Sequence, residues 1–197
     1  MEKLTRSDLY SLEQYAEMRS AFRDQVMAHK KLRTVPVGPN LTLYFEDRLT
    51  MQYQVQEMLR VERIFEPEGI EEELEVYNPL IPDGTNWKAT MMIEYPDVEE
   101  RREALLRMAG IEHQIWVQVA GYDRIFGIAD EDLERGDDRK TSAVHFMRFE
   151  LAPAMVTAIK QGAGIAMGID HPAYTHVVSP LPAGIAAQLG ADLETAH

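Results

Sequence analysis

The chain has 197 residues, of which 45% are hydrophobic and 27% charged; this suits a soluble globular protein with one core, or one core carrying a helical extension. A formal net charge of −13 opposes general adhesion to nucleic acid or to anionic membranes, since both attractions depend on Lys and Arg. Cysteine is absent, which excludes disulfides, thiol nucleophiles and cysteine-ligated zinc or iron–sulfur centres, and leaves His and carboxylate groups as the ligands for any transition metal.

The opening MEKLTRSDLY has no apolar run of the signal-peptide kind, and no later run approaches a bilayer span, so a cytoplasmic protein without a membrane segment is expected. Ser7 and Asp8 can cap a helix reaching about Lys31, on which Leu12, Tyr15, Ala16, Arg19, Phe22, Val26 and His29 recur near the helical period. Pro36, Gly38, Pro39 and Asn40 interrupt it, and Leu41 to Phe45 alternates as a short strand. A helix from Phe45 to Phe65 follows, and Pro67 opens a third that Asn78-Pro79 stops. Pro82-Asp83-Gly84 is the one turn cluster suited to an internal boundary, between a helical region 1–82 with one short strand and a sheet region 83–197.

Beyond that turn the pattern predicts strand from Trp87 to Tyr95, helix from Val98 to Ala109, strand from Ile111 to Ala120 and a hairpin partner from Tyr122 to Ala129. The charged run Asp130 to Lys140 reads as a loop or short helix, and strand, helix and strand follow over Thr141–Leu151, Pro153–Gly162 and Ala163–Asp170. A last helix ends near Leu189. The expected class is therefore α+β: a helical N-terminal half packed on an antiparallel, ferredoxin-like (split βαβ) sheet.

Candidate chemistry concentrates on FEDRLTMQYQVQEMLRVERIF, residues 45 to 65. On a helical wheel Met51, Val55, Met58, Leu59, Val61 and Phe65 form one apolar stripe, and Glu62 falls inside it. An inward carboxylate needs a cation, a metal or a proton, and Arg60 and Arg63 stand close. With Glu57, Tyr77 and Asn78 these residues make either a polar cleft, in which Glu57 or Glu62 acts as acid or base on an anion held by arginine, or a salt-bridged seam between layers. The run His29, Lys30, Lys31 and Arg33 is either an anion- or partner-binding patch or a set of cations at a helix C-terminus. Asp170, His171 and His176 are the candidate metal ligands, with a spacing that is not diagnostic, while His113 and His145 share strand parity with core residues. Glycine-rich phosphate loops, the GxSxG elbow and the HExxH helix are absent, and the one Glu-x-x-His pair, Glu194 with His197, lies at the chain end.

The string HKKLRTVPVGPNLTLYFEDRLTMQYQVQEMLRVERIF, with EELEVYNPLIP, AVHFMRFEL and GIDHPAY after it, resembles the bacterial family catalogued as domain of unknown function 3501. Genes of that family often neighbour those for a rubrerythrin-like di-iron protein and a heterodisulfide-reductase-like iron–sulfur protein, so the resemblance implies a peroxide-defence or electron-transfer setting and supplies no catalytic residues. It points to an accessory protein that binds a redox partner, its acidic surface matched to a basic one. The alternative is a small metal-dependent enzyme or sensor with a His/carboxylate site.

Overall fold

The computed structural model describes residues 1–129 and 140–194; the charged run expected from Asp130 lies outside the described residues but for Lys140. Helix α1, Leu12–Lys31, starts four residues later than Ser7 suggests. Ser11 and Gln14 form a reciprocal capping box: the Gln14 N–H donates to Ser11 Oγ at 3.3 Å and the Ser11 N–H to Gln14 Oε1 at 3.0 Å. Residues 6–8 form a separate 3₁₀ turn. After the short strand β1, Thr34–Pro36, comes β2, Leu41–Phe45. Helix α2, Arg48–Glu62, is capped by Asp47, whose Oδ1 accepts from the Thr50 N–H at 2.9 Å, and it stops where Arg63 turns left-handed at φ 55°. Helix α3, Pro67–Tyr77, carries proline in its first turn, where no donor is lost.

The second half contributes β3 (Asn86–Ile93), α4 (Val98–Arg107), β4 (Ile115–Val119), β5 (Arg124–Phe126), β6 (Ile128–Ala129) and β7 (Val144–Glu150). It ends with α5 (Pro153–Lys160), β8 (Ile165–His171), β9 (Tyr174–Val178) and α6 (Ala183–Ala191). The α+β class holds, but the strands divide between two sheets, ordered β1-β2-β3-β7-β6 and β5-β4-β8-β9. Among the described residues every pairing is antiparallel, whereas a split-βαβ sheet needs a parallel central pair. Two contacts cause the difference. β2 takes the place beside β3, with Leu43 opposite Met91, so the sheet spans the turn at residues 82–84. At Gly127 the chain passes from one sheet to the other: its N–H donates to the Ile115 carbonyl, while Ile128 and Ala129 pair with β7. A Cβ there would lie 2.6 Å from Met147 Cε, so the corner needs glycine.

Both sheets share one core, in which Leu43, Phe45, Trp87 and Phe149 meet Ile115, Val117, Met167 and Ile169. Helices α4, α5 and α6 add Leu105, Ile159 and Leu189. Smaller clusters lie between α2 and α3 (Met51, Val55, Leu59, Leu74) and between α1 and α2 (Tyr15, Phe22, Val26, Tyr53). Among the described residues no helix is long and apolar enough to cross a membrane.

On the opposite face of the smaller sheet the Trp116 indole lies over Gly168 beneath the Arg124 guanidinium, which is 3.8 Å from the ring centroid. A Cβ on Gly168 would come 2.3 Å from Trp116 Cζ2. Gly168→Ala is expected to destabilise the fold by about 1–3 kcal/mol, seen as a lower urea midpoint with an unchanged slope.

Candidate functional site

The two carboxylates of α2 have opposite fates. Glu57 faces α1, where Arg19 donates from Nε and Nη2 to its two oxygens at 2.7 and 2.8 Å. Tyr15 Oη donates at 2.7 Å and Arg60 Nη2 at 3.2 Å. The Arg19 fork, with the Tyr15 and Arg60 bonds behind it, holds the Glu57 carboxyl down to about 2, from an ordinary 4.5. This is the salt-bridged seam. Through this ion pair Glu57 joins α1 to α2.

Glu62 is exposed, which corrects the inward carboxylate expected from the wheel. The stripe fails at its C-terminal end because α2 stops at Glu62, leaving Val61 and Phe65 58% and 66% exposed. Burial rotates instead toward Thr50, Tyr53 and Gln56, against which α1 and the preceding loop pack. The proposed cleft is therefore not assembled. Arg63 is an exposed C-cap, Tyr77 packs into the α2–α3 cluster, and Asn78 binds the Leu4 backbone through both its amide groups.

The basic run 29–33 also divides. Arg33 is 1% exposed and donates to the Phe45 and Glu46 carbonyls at 3.0 and 3.1 Å, and to both oxygens of Asp192 on the far side of the chain. Its Nη1 also stands 3.4 Å from Asp47 Oδ2, which His29 Nε2 approaches at 2.5 Å. Burial nevertheless pushes the Asp192 carboxyl up, and the Arg33 bonds offset only part of that. Lys30 lies over the Tyr53 ring at 6.0 Å, and Lys31 is exposed. Two of the four cations thus serve the interior, and no convergent anion site forms from the run. Buried Glu46 is satisfied by hydroxyls, accepting from Thr90 and Thr50 at 2.7 Å each.

The three candidate metal ligands do not converge. Asp170 and His171 are consecutive in β8 and so face opposite sides of the sheet. Asp170 pairs outside with Arg124; His171 is buried, with Nε2 3.1 Å from the Ala109 carbonyl and Nδ1 accepting from the Ala173 N–H at 3.1 Å. His176 stacks on Tyr174, centroids 4.5 Å apart. Among the described residues no three His, Asp or Glu side chains converge as metal ligands. His145 is buried beside Thr141, as its strand parity predicts, but His113 is exposed because residues 111–113 form a 3₁₀ turn ahead of β4.

The densest run of acidic side chains lies on the surface. Helix α3 carries six glutamates between residues 66 and 75, and no Lys or Arg occurs between Arg63 and Lys88. Five of the six are exposed; the sixth, Glu73, has its carboxyl pushed up by burial and by the nearby Glu62 and Glu72 charges. Beside this helix a groove of ≈ 520 Å³ opens between residues 6–14 and the α2–α3 corner. Leu59 forms its buried floor, Leu9, Leu12, Ile64 and Ile70 line it, and Phe65 stands at its edge. The missed signal was the uncompensated run EGIEEELEV, legible as charge but not as a surface next to exposed apolar side chains.

The model of the protein-of-unknown-function family DUF3501 matches residues 3–193. The chain belongs to that family. A crystal structure described as a novel protein of unknown function from Burkholderia pseudomallei K96243 is 47% identical, covers 98% of this chain and 100% of its own, and superposes with a TM-score of 0.93. No curated protein matches. Family membership thus brings a fold and no assigned activity.

Two outcomes check these placements. Arg33→Ala, which strands Asp192 in the interior, is expected to cost about 3–5 kcal/mol in chemical denaturation, against less than about 0.5 kcal/mol for Glu62→Gln. Because the folded pKa of Glu57 is depressed, its stabilisation is full above pH 4.5 and lost as pH falls toward about 2. The stability gap between wild type and Glu57→Gln should therefore be widest above pH 4.5 and close across that window.

Proposed function

We propose that this protein is an accessory protein that binds a basic protein partner through the acidic α3 corner, in the redox setting that the family resemblance implies. One observation carries this: the carboxylates inside the fold have named donors, whereas the α3 glutamates form a dense anionic surface with no intervening cation. A net charge of −13 so distributed raises the encounter rate with a cationic partner and disfavours acidic ones. The absence of cysteine fits a role beside an electron carrier rather than as one, since no iron–sulfur cluster can be ligated by thiolates here. Phe65 and Val76, 66% and 63% exposed, supply apolar area that charge alone lacks.

The test mixes purified protein with a rubrerythrin-like or an iron–sulfur protein of the kind the family resemblance implies, at low and at physiological salt. Association that weakens with salt, and at least tenfold in Glu68→Lys/Glu72→Lys, is expected by calorimetry. Failure of both partners to bind at low salt overturns the proposal.

A further inference from the structure

The groove beside α3 has a shape and a chemistry that narrow what the partner presents. It is built from the outside of two packed elements: the capped start of α1 on one side, and on the other the corner where Arg63 turns the chain from α2 into α3. Its volume, ≈ 520 Å³, falls within the range of about 300–1,000 Å³ in which concave sites bury a ligand. Leu59 in its floor and Leu9, Leu12, Ile64 and Ile70 in its walls are aliphatic, with polar side chains of residues 6–14 between them, and Phe65 is the most exposed large apolar side chain among the described residues. Water left against this surface is released when an apolar group enters.

The charges around it have one dominant sign. Glu13 lies on the lip formed by α1, and Glu62 and Glu66 flank Ile64 and Phe65 in sequence on the other lip, ahead of the α3 glutamates. Arg6 lines the groove and exposed Arg63 precedes Ile64, so two cations stand against Glu13, Glu62, Glu66 and the α3 glutamates. An apolar trough with a mostly acidic rim is complementary to a helix whose apolar residues recur at i, i+3/i+4 and i+7 and whose flanks carry Lys and Arg. An acidic or uniformly polar segment gains nothing from the floor and is repelled by the rim.

We infer that the groove between residues 6–14 and the α2–α3 corner receives the apolar face of a basic amphipathic helix of the partner protein, with Phe65 as the anchoring contact and the glutamates around it as the charged rim. This rests on the docking role proposed for the α3 corner and specifies what docks there. Phe65 packs on the incoming aliphatic side chains, which close over Ile64 and Ile70. Lysines on the helix flanks then lie against Glu13 and Glu66.

The probe is a fluorescently labelled amphipathic helical peptide of leucine and lysine. Its controls are the same composition scrambled to remove the apolar face, and a leucine and glutamate peptide. Binding is followed by anisotropy for wild type, Phe65→Ala and Glu66→Lys/Glu71→Lys, with circular dichroism confirming that each variant folds. All three substituted side chains are exposed, so the fold should be retained. The inference expects saturable binding of the amphipathic peptide, weakened about tenfold or more by Phe65→Ala and by the charge reversal, with neither control peptide competing.

Wild-type affinity in Phe65→Ala with loss in the charge-reversed variant overturns the groove assignment and leaves the acidic docking surface standing. No binding, or binding indifferent to both substitutions, overturns both. Sedimentation velocity adds a third arm: a wild-type dimer that Phe65→Ala converts to monomer shows that a second copy of this chain fills the groove, which overturns the partner-helix assignment.

Discussion

A guanidinium group almost wholly withdrawn from water ties the junction of α1 and β1 to the segment after α6. Arg33 leaves α1 just as the chain enters β1, and there it binds the carbonyls where β2 ends and the carboxylate of Asp192 beyond α6. Burying such a cation is unfavourable unless its donors are taken up, and here five-donor geometry meets two carbonyls and a bidentate carboxylate. Asp47, which caps α2, stands beside the same guanidinium and also meets His29. The direction of α2, and hence the corner at Arg63 and the groove beyond it, follows from that cap. The segment after α6 is held by the same guanidinium that stands beside the cap of α2.

Charge in this protein is sorted by compensation. Inside, Glu46 meets two threonine hydroxyls, Glu57 an arginine fork and a phenol, and Asp192 the Arg33 guanidinium. Each is then a structural bond that joins separate elements of the fold. The outer helix α3 has no such partners, so its field extends into solvent over a distance set by salt, on the order of 10 Å. A surface of that kind is suited to recruiting another protein, and the adjoining aliphatic trough to discriminating among those recruited. The 47% identity with the Burkholderia pseudomallei protein over essentially the whole chain shows a shared fold.

Much of the local structure was legible in the sequence. Pro67 opened a helix, Pro153 opened another, and the strands over 41–45, 86–93 and 144–150 fall where alternation places them. Glu57 was legible as one end of a polar contact, but its partner Arg19 lies 38 residues away on another helix. The errors have the same origin. Glu62 looked buried because a wheel assumes that the helix continues, and the left-handed Arg63 ends it. Asp170, His171 and His176 looked like a ligand set because they are near in sequence, whereas the pleat of β8 sends the first two to opposite faces.

The amino-acid sequence by itself determined most of the helices and strands, the lack of thiol chemistry, the acidity and the family likeness, because each depends on composition or on residues within a few positions of one another. Tertiary structure alone decided that β2 lies beside β3, that Gly127 carries the chain between two sheets, that Arg33 points inward and that Phe65 stands at the edge of a groove. Those outcomes depend on which distant surfaces meet, and a period of 2.0 or 3.6 residues records that a face is apolar without recording what covers it.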